Sequence, residues 1–127
     1  MTFPSELKYT VDHVWVKVDG ATAKLGVSDF AQDQLGDVLY VDLPAVGAEF
    51  AAGDTFTEIE SSKTNSEVPT PVSGKVIAVN EELDDSPENV NEDPYASWII
   101  EIELSNLDEL DALLAADVYE GGLEIEE

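Results

Sequence analysis

Cysteine is absent from the chain, which excludes disulfides, thiolate metal sites and cysteine nucleophiles together. The chain therefore has no thiol of its own to exchange with a sulfur cofactor. Arginine is absent too. The cations are five lysines, set against 29 acidic residues for a net charge of −24, so nucleic acid is excluded as a partner. His13 is the only histidine, and without a second one it has no metal constellation or triad to join. It reads as a structural or partner-facing residue. No apolar run approaches the roughly 20 residues of a membrane-spanning helix. Met1 to Lys8 lacks the basic start and apolar middle of a signal peptide. These absences predict a cytoplasmic protein with no membrane partner.

The length of 127 residues and the 43% hydrophobic content predict one domain, residues 1–127, with a modest core. For this mass the accessible surface is roughly 6,600 Å², which leaves about 190 Å² per charged group and neighbours about 14 Å apart. The Debye length is about 10 Å at 0.1 M salt and about 3 Å at 1 M. Self-repulsion is thus felt in dilute buffer and extinguished in molar salt. The reading drawn from this is a halophilic source, an archaeon, whose acidic surface suits brine. An acidic patch for a basic partner is the competing reading, but acidic residues recur along nearly the whole length. Strong like charge also argues for a monomer.

The turn signals divide the chain into short strands. Tyr9 to Asp19 alternates, with Val14, Val16 and Val18 on one face and His13, Trp15 and Lys17 on the other. Asp19-Gly20 turns it into Thr22 to Val27, a hairpin. Ser28 caps a short helix from Asp29 to Leu35, stopped by Gly36. Asp37 to Leu43 returns to strand, with Leu39, Val41 and Leu43 on one face. Glu81 to Asp93 is an acidic loop with a helical turn near Pro87 to Val90, and it lacks the central glycine of a calcium loop. Trp98 to Leu104 is a strand. Ser105 then begins an amphipathic helix with Leu107, Leu110, Leu113 and Leu114 on one face, before an acidic tail from Gly121 to Glu127. The expected fold is mainly β, a small sandwich of two similar halves packed face to face, with short helices and a C-terminal helix.

The remaining strands flank one lysine. Thr55 to Glu60 and Val68 to Val72 are strand-like, and Ser61, Ser62, Lys63, Thr64, Asn65 and Ser66 between them are small and polar apart from Lys63. Lys63 is predicted at an exposed hairpin tip. A lysine on a short, stiff turn offers a primary amine to any enzyme that can grip the turn, and such an amine can be acylated. Taken alone, it is also an ordinary solvated charge.

Several stretches together resemble the glycine cleavage H-protein family of lipoyl carriers. They are His13-Val14-Trp15-Val16, Gly26 through Gln32, Leu35-Gly36-Asp37, Val41 through Pro44, Val46-Gly47, Glu58 to Lys63, Pro71 through Gly74, and Asn91 through Tyr95. They cover nearly the whole chain in family order. The resemblance implies a flattened sandwich of two small antiparallel sheets with short flanking helices, a lipoyl/biotinyl-carrier-like barrel-sandwich hybrid, with N6-lipoyllysine at Lys63, the covalently attached lipoate being the cofactor. Ser62 stands where the family usually has valine, and Ala96-Ser97 lacks a glycine usual in that loop.

What the resemblance implies is a shuttle without catalysis of its own. The lipoyl arm would accept an aminomethyl group from a pyridoxal-phosphate glycine decarboxylase and present it to a tetrahydrofolate-dependent aminomethyltransferase. Dihydrolipoyl dehydrogenase would then reoxidise it, and a lipoate-attaching enzyme would install it. Tethering raises effective concentration at each partner. Trp15 and the Asp29-Phe30 side are the expected surfaces for a folded-back arm, with core packing as the other reading of Trp15 and Phe30. Glu58, Glu60 and Glu67 flank the tip, either to guide partners or simply as acidic surface.

Other readings stay open at this point. A biotin carrier resembles Met-Lys-Met at its tip, unlike Ser62-Lys63-Thr64. A lipoyl domain of another multienzyme complex usually belongs to a longer chain. A lipoyl donor in lipoate relay would use the same lysine. A hydrolase with paired carboxylates and an unmodified interaction protein both predict indifference to Lys63→Arg.

Overall fold

The structure, a computed structural model, describes residues 6–10 and 12–121. Among these the chain runs β1 (Lys8–Tyr9), β2 (Val14–Asp19), β3 (Thr22–Val27), α1 (Asp29–Leu35), β4 (Val38–Val41), β5 (Glu49–Phe50), β6 (Thr55–Ser61), β7 (Asn65–Pro69) and β8 (Gly74–Val79). There follow α2 (Glu82–Asp85), α3 (Asn89–Glu92), β9 (Ile100–Leu104), a 3-10 helix (Leu107–Ala112), β10 (Leu114–Ala115) and α4 (Ala116–Gly121). The strands form two antiparallel sheets, one in the order β10-β1-β2-β3-β9-β8-β5 and the other β4-β6-β7. The mainly β sandwich expected from the sequence is observed, with sheets of unequal size.

The core lies between the sheets because alternate residues of each point inward. Val14, Leu25 and Ile102 come from the larger sheet and Val41, Ile59 and Val68 from the smaller, all buried in one cluster. A second cluster of Leu7, Tyr9, Trp15, Ala116 and Tyr119 is completed by Tyr95 and Trp98. For that reason Val14, Trp15 and Val16 are buried in succession, where alternation alone would leave Trp15 in solvent.

The helix from Asp29 to Leu35 forms as its capping residues dictate. Ser28 accepts a hydrogen bond from Ala31 N, and Gly36 closes the far end with φ 76°. Three other expectations change. In β4 a register shift between Val38 and Tyr40 marks a bulge, and the extra residue breaks the alternation. Val38 and Val41 are buried, while Leu39 and Tyr40 are exposed. Leu39 therefore does not share the inward face of Val41. The strand after the lysine turn runs Asn65–Pro69 instead of Val68 to Val72.

The leucine-rich helix expected from Ser105 is a 3-10 helix capped by Asn106, whose side chain accepts from Asp108 N. The chain then extends into β10, which pairs Leu114 with Tyr9 and Ala115 with Lys8. Pairing with β1 competes with helix propagation, and the leucines divide accordingly. Leu110 and Leu113 pack on the main core and Leu114 on the second cluster. The C-terminal helix is α4. The acidic tail beyond it, residues 122–127, lies outside the described residues, as does the side chain of Leu107.

Candidate functional site

Lys63 occupies the connection between β6 and β7 and is exposed. Its four fellow lysines, Lys8, Lys17, Lys24 and Lys75, all lie in strands of the larger sheet. Lys63 alone stands on a turn.

The turn is closed by the residue two before it. Ser61 is 7% exposed. Its N–H and Oγ both donate to Thr64 O, at 2.9 and 2.8 Å, and Oγ accepts from Thr64 N at 3.2 Å. A short turn whose polar groups are mutually satisfied has little freedom to splay. Ser62 N donates to Asp37 O at 2.9 Å, tying the tip to the start of β4. The Ser62 side chain, where valine is usual, is exposed.

Beneath the lysine stem lies Gly36. A β-carbon there would stand 3.1 Å from Lys63 Cε, 3.3 Å from Cδ and 3.3 Å from Ser62 Oγ. Its φ of 76° and ψ of −153° fall in a region open to glycine and costly to other residues. Asn91 holds this segment from below. Its Oδ1 accepts from Val38 N at 2.8 Å, and its Nδ2 donates to Gly36 O at 2.7 Å and to Gln32 Oε1 at 3.1 Å.

A cleft of about 210 Å³ opens beside the turn, between α1 and β7. Val27, Ala31, Leu35 and Val68 give it an apolar floor, and Asp12, His13 and Glu67 line it with Thr64, the neighbour of Lys63. A more open depression of about 400 Å³ along Glu49, Lys75 and Glu103 includes no residue of the lysine turn. Glu67 faces Glu58 across the β6-β7 ladder, and Glu60 faces Asn65. No group of metal-ligating side chains occurs among the described residues.

His13 is a structural residue and also a lining residue of this cleft. Its Nδ1 lies 2.7 Å from Tyr119 Oη, and its ring packs at 4.7 Å on Phe30. Burial lowers its pKa, against a smaller upward pull from Asp12. Burial likewise raises the pKa of Tyr119, of Tyr95 to about 12, and of Tyr9.

For Trp15 the core-packing reading holds and the arm-surface one does not. It is 1% exposed, its indole donates to Pro94 O at 3.0 Å, and its ring lies against Gly26, where a β-carbon would clash at 2.6 Å. Burial in the second cluster removes it from any arm surface. Asp29 is engaged by Gln32 Nε2 at 2.7 Å, and its N–H donates to Tyr95 Oη at 3.1 Å. Of the expected arm surface, Phe30 packs on His13, a lining residue of the cleft, and neither it nor Asp29 lines the cleft itself.

Tyr119 carries no signal in the sequence, and Ser61 and Asn91 enter it only as members of the lysine turn and of a family-like stretch. The bond from Val38 N to Asn91 spans 53 positions and that from His13 to Tyr119 spans 106, so no local pattern could have revealed either.

A family model described as "Glycine cleavage H-protein" matches residues 7–125. The glycine cleavage system H protein of Anoxybacillus flavithermus is 54% identical over 121 residues, 94% of this chain and 95% of that one. That of Carboxydothermus hydrogenoformans is 52% identical over 124 residues, 97% and 95% of the two chains. The crystal structure of a glycine cleavage system H protein from Mycobacterium marinum superposes with a TM-score of 0.84 at 35% identity, covering 93% of this chain and 96% of that one. These relatives are bacterial, so they lend no support to the archaeal, halophilic source drawn from composition.

Proposed function

The chain belongs to the glycine cleavage H-protein family, and from that premise we propose that Lys63 is the residue on which it carries lipoate. The family role is that of a lipoyl-carrying shuttle in the glycine cleavage system, a carrier and not an enzyme. The observation that carries the assignment is the placement of the five lysines. Four sit on strands, and Lys63 alone projects from a turn that a modifying enzyme can grip. Lys24 is further engaged by the Trp98 ring at 5.1 Å.

When attached, lipoate would supply a disulfide at the end of a flexible chain, the reactive sulfur that this cysteine-free polypeptide lacks. The residues present suit such a group. Acylation removes the charge of Lys63. The cleft beside Thr64 offers an apolar floor for a hydrocarbon arm, and Asp12 and Glu67 offer carboxylates to a cationic end. Lodging the arm there would keep water from its cargo. This cleft replaces Trp15 as the surface for a folded-back arm. Ser61, Gly36 and Asn91 fix the base from which the arm swings.

The partners in this reading are glycine decarboxylase, the aminomethyltransferase, dihydrolipoyl dehydrogenase and a lipoate-attaching enzyme, met in the cytoplasm by a monomeric, single-domain carrier. Among the described residues no helix is long and apolar enough to cross a membrane. The charge of −24 is read as a surface suited to high ionic strength.

The test is intact-mass spectrometry with peptide mapping on protein from its native host. A lipoyl mass on Lys63 is expected. Lipoate on another lysine, or a bare Lys63 in cells that contain other lipoylated proteins, would overturn the assignment.

A further inference from the structure

The lysine turn has a second neighbour, on the side of β4. Leu39 and Tyr40 are both exposed there, because the bulge in β4 breaks the alternation that would bury one of them. Tyr40 stands opposite Glu60, three positions before Lys63, so roughly 10 Å of chain separates it from the lysine. The lysine stem itself lies over Gly36, two residues before β4. An enzyme that reaches the unmodified amine is thereby brought to this strand.

Beside Tyr40 runs a groove of about 420 Å³, between the end of β4 and α2. Leu43, Val79 and the Tyr40 ring give it apolar lining, and Glu81, Asp84 and Asp85 give it three carboxylates. All three acids are exposed. Among the described residues, neither they nor the Tyr40 hydroxyl have a side-chain hydrogen bond or ion pair within the protein.

This lining selects its occupant. Apolar walls take the methylenes of a long side chain, and carboxylates take a cationic head. Arginine suits it better than lysine, because a flat guanidinium stacks on an aromatic ring and bonds carboxylates in pairs, whereas an ammonium is compact and strongly hydrated. The chain contains no arginine, so the occupant comes from another molecule. A second copy would bring no arginine either, and the same repelling charge of −24.

The lysines leave this side open to a basic partner. Lys24 faces Glu101 and Lys75 faces Glu103 on the larger sheet, while no cation lines the groove.

We propose that this groove is an arginine socket for the enzyme that acylates Lys63. A partner arginine lays its stem on Leu43 and Val79, stacks on Tyr40 and meets the carboxylates of Glu81, Asp84 and Asp85, which docks the enzyme over the turn. The proposal rests on the reading of Lys63 as the acylated residue. A standard interface covers about 800 Å² of each partner, a patch about 30 Å across, so one enzyme surface spans both groove and lysine.

Two measurements on the full, unmodified chain test it. NMR titration with N-acetylarginine amide is expected to shift Tyr40, Leu43 and Val79, and titration with the uncharged N-acetylcitrulline amide to leave them in place. Equal shifts with both probes, or arginine shifts spread evenly over the acidic surface, overturn the socket.

Lipoylation kinetics with a lipoate-attaching enzyme then read the docking. Asp84→Asn combined with Asp85→Asn is expected to raise KM about tenfold with kcat unchanged, as the loss of two exposed ion pairs would. Tyr40→Ser, on another element, is expected to raise KM too, and it decides if the first variant fails to fold. Glu101→Gln combined with Glu103→Gln removes the same two charges from the larger sheet and is expected to leave KM within about twofold. An equal rise in both double variants shows bulk charge at work and overturns the proposal, as does an unchanged KM on the groove side. If wild-type Lys63 takes no lipoate at all, the assignment of the lysine falls and the enzyme falls as occupant with it, while the arginine titration still decides the socket by itself.

Discussion

The aliphatic stem of Lys63 lies over Gly36, at the point where a β-carbon on residue 36 would stand 3.1 Å from Lys63 Cε. The residue that ends the first helix thus also makes room for the lysine on the turn after the sixth strand. Gly36→Ala must strain its backbone and displace the lysine at once. Held in this conformation, a non-glycine residue costs about 1–3 kcal/mol. Urea denaturation should show a loss of that size, and a wild-type midpoint would refute the packing.

Lys63→Arg should retain the fold and lose the cargo. The side chain is exposed, and such surface changes usually stay within about 0.5 kcal/mol. The guanidinium stays charged and is no substrate for amide formation. Mass spectrometry after co-expression with a lipoate-attaching enzyme should find no lipoyl adduct, with the melting curve unchanged.

Asn91 supports the site from a distance. Asn91→Ala would strip partners from Val38 N and Gly36 O, and leaving buried polar groups unpaired costs about 1–3 kcal/mol each. Stability should fall by more than for Gly36→Ala. Hydrogen exchange should quicken at Val38 and Ser62, whose amides report on the base of the turn. Unchanged protection at both would show that Asn91 does not hold it.

Two titrations bracket the stability of the second cluster. The pKa of His13 is lowered by burial, so below its unfolded value of about 6.5 the unfolded chain binds the proton more readily. The neutral histidine's contribution is whole above that pH and is lost as pH falls through the folded pKa. Tyr95, raised to about 12, and Tyr9 and Tyr119, also raised, act in the opposite direction. Their contribution is whole below about 10 and is lost as pH climbs toward the folded values. Denaturation midpoints of wild type and His13→Asn, compared across pH, should converge at the acid end. Parallel curves there would contradict the burial of neutral His13.

Glu58 and Glu67 stand directly opposite on β6 and β7, and facing like charges destabilise a pair by about 0.2–1 kcal/mol. Glu58→Gln should therefore stabilise the protein in 0.1 M salt. The gain should shrink in 1 M salt, where the Debye length is about 3 Å. A gain independent of salt would point to a cause other than charge.

Local chemistry made much of this molecule legible from its sequence. Ser28 and Gly36 bound the first helix because capping is a matter of one side chain and one φ value. The turn at Lys63 followed from small polar residues between strand-like runs, and the resemblance of the surrounding motifs supplied a family that the comparisons then matched over residues 7–125. The charge of −24 is likewise read directly from composition, and it disfavours nucleic acid as a partner.

Tertiary structure alone decided what depends on contacts between distant residues. Trp15 is buried because Pro94 accepts from its indole and the second cluster covers its face, whereas strand alternation would have left it in solvent. The leucines after Ser105 break into a 3-10 helix and a strand because β1 offered an edge to pair with. The lysine turn, Gly36 and Asn91 come together, as do His13, Ser28 and Tyr119, through bonds between residues far apart in the chain. A sequence states which atoms can donate and accept. Which pairs meet depends on chain closure over such spans, and only the packed fold fixes that.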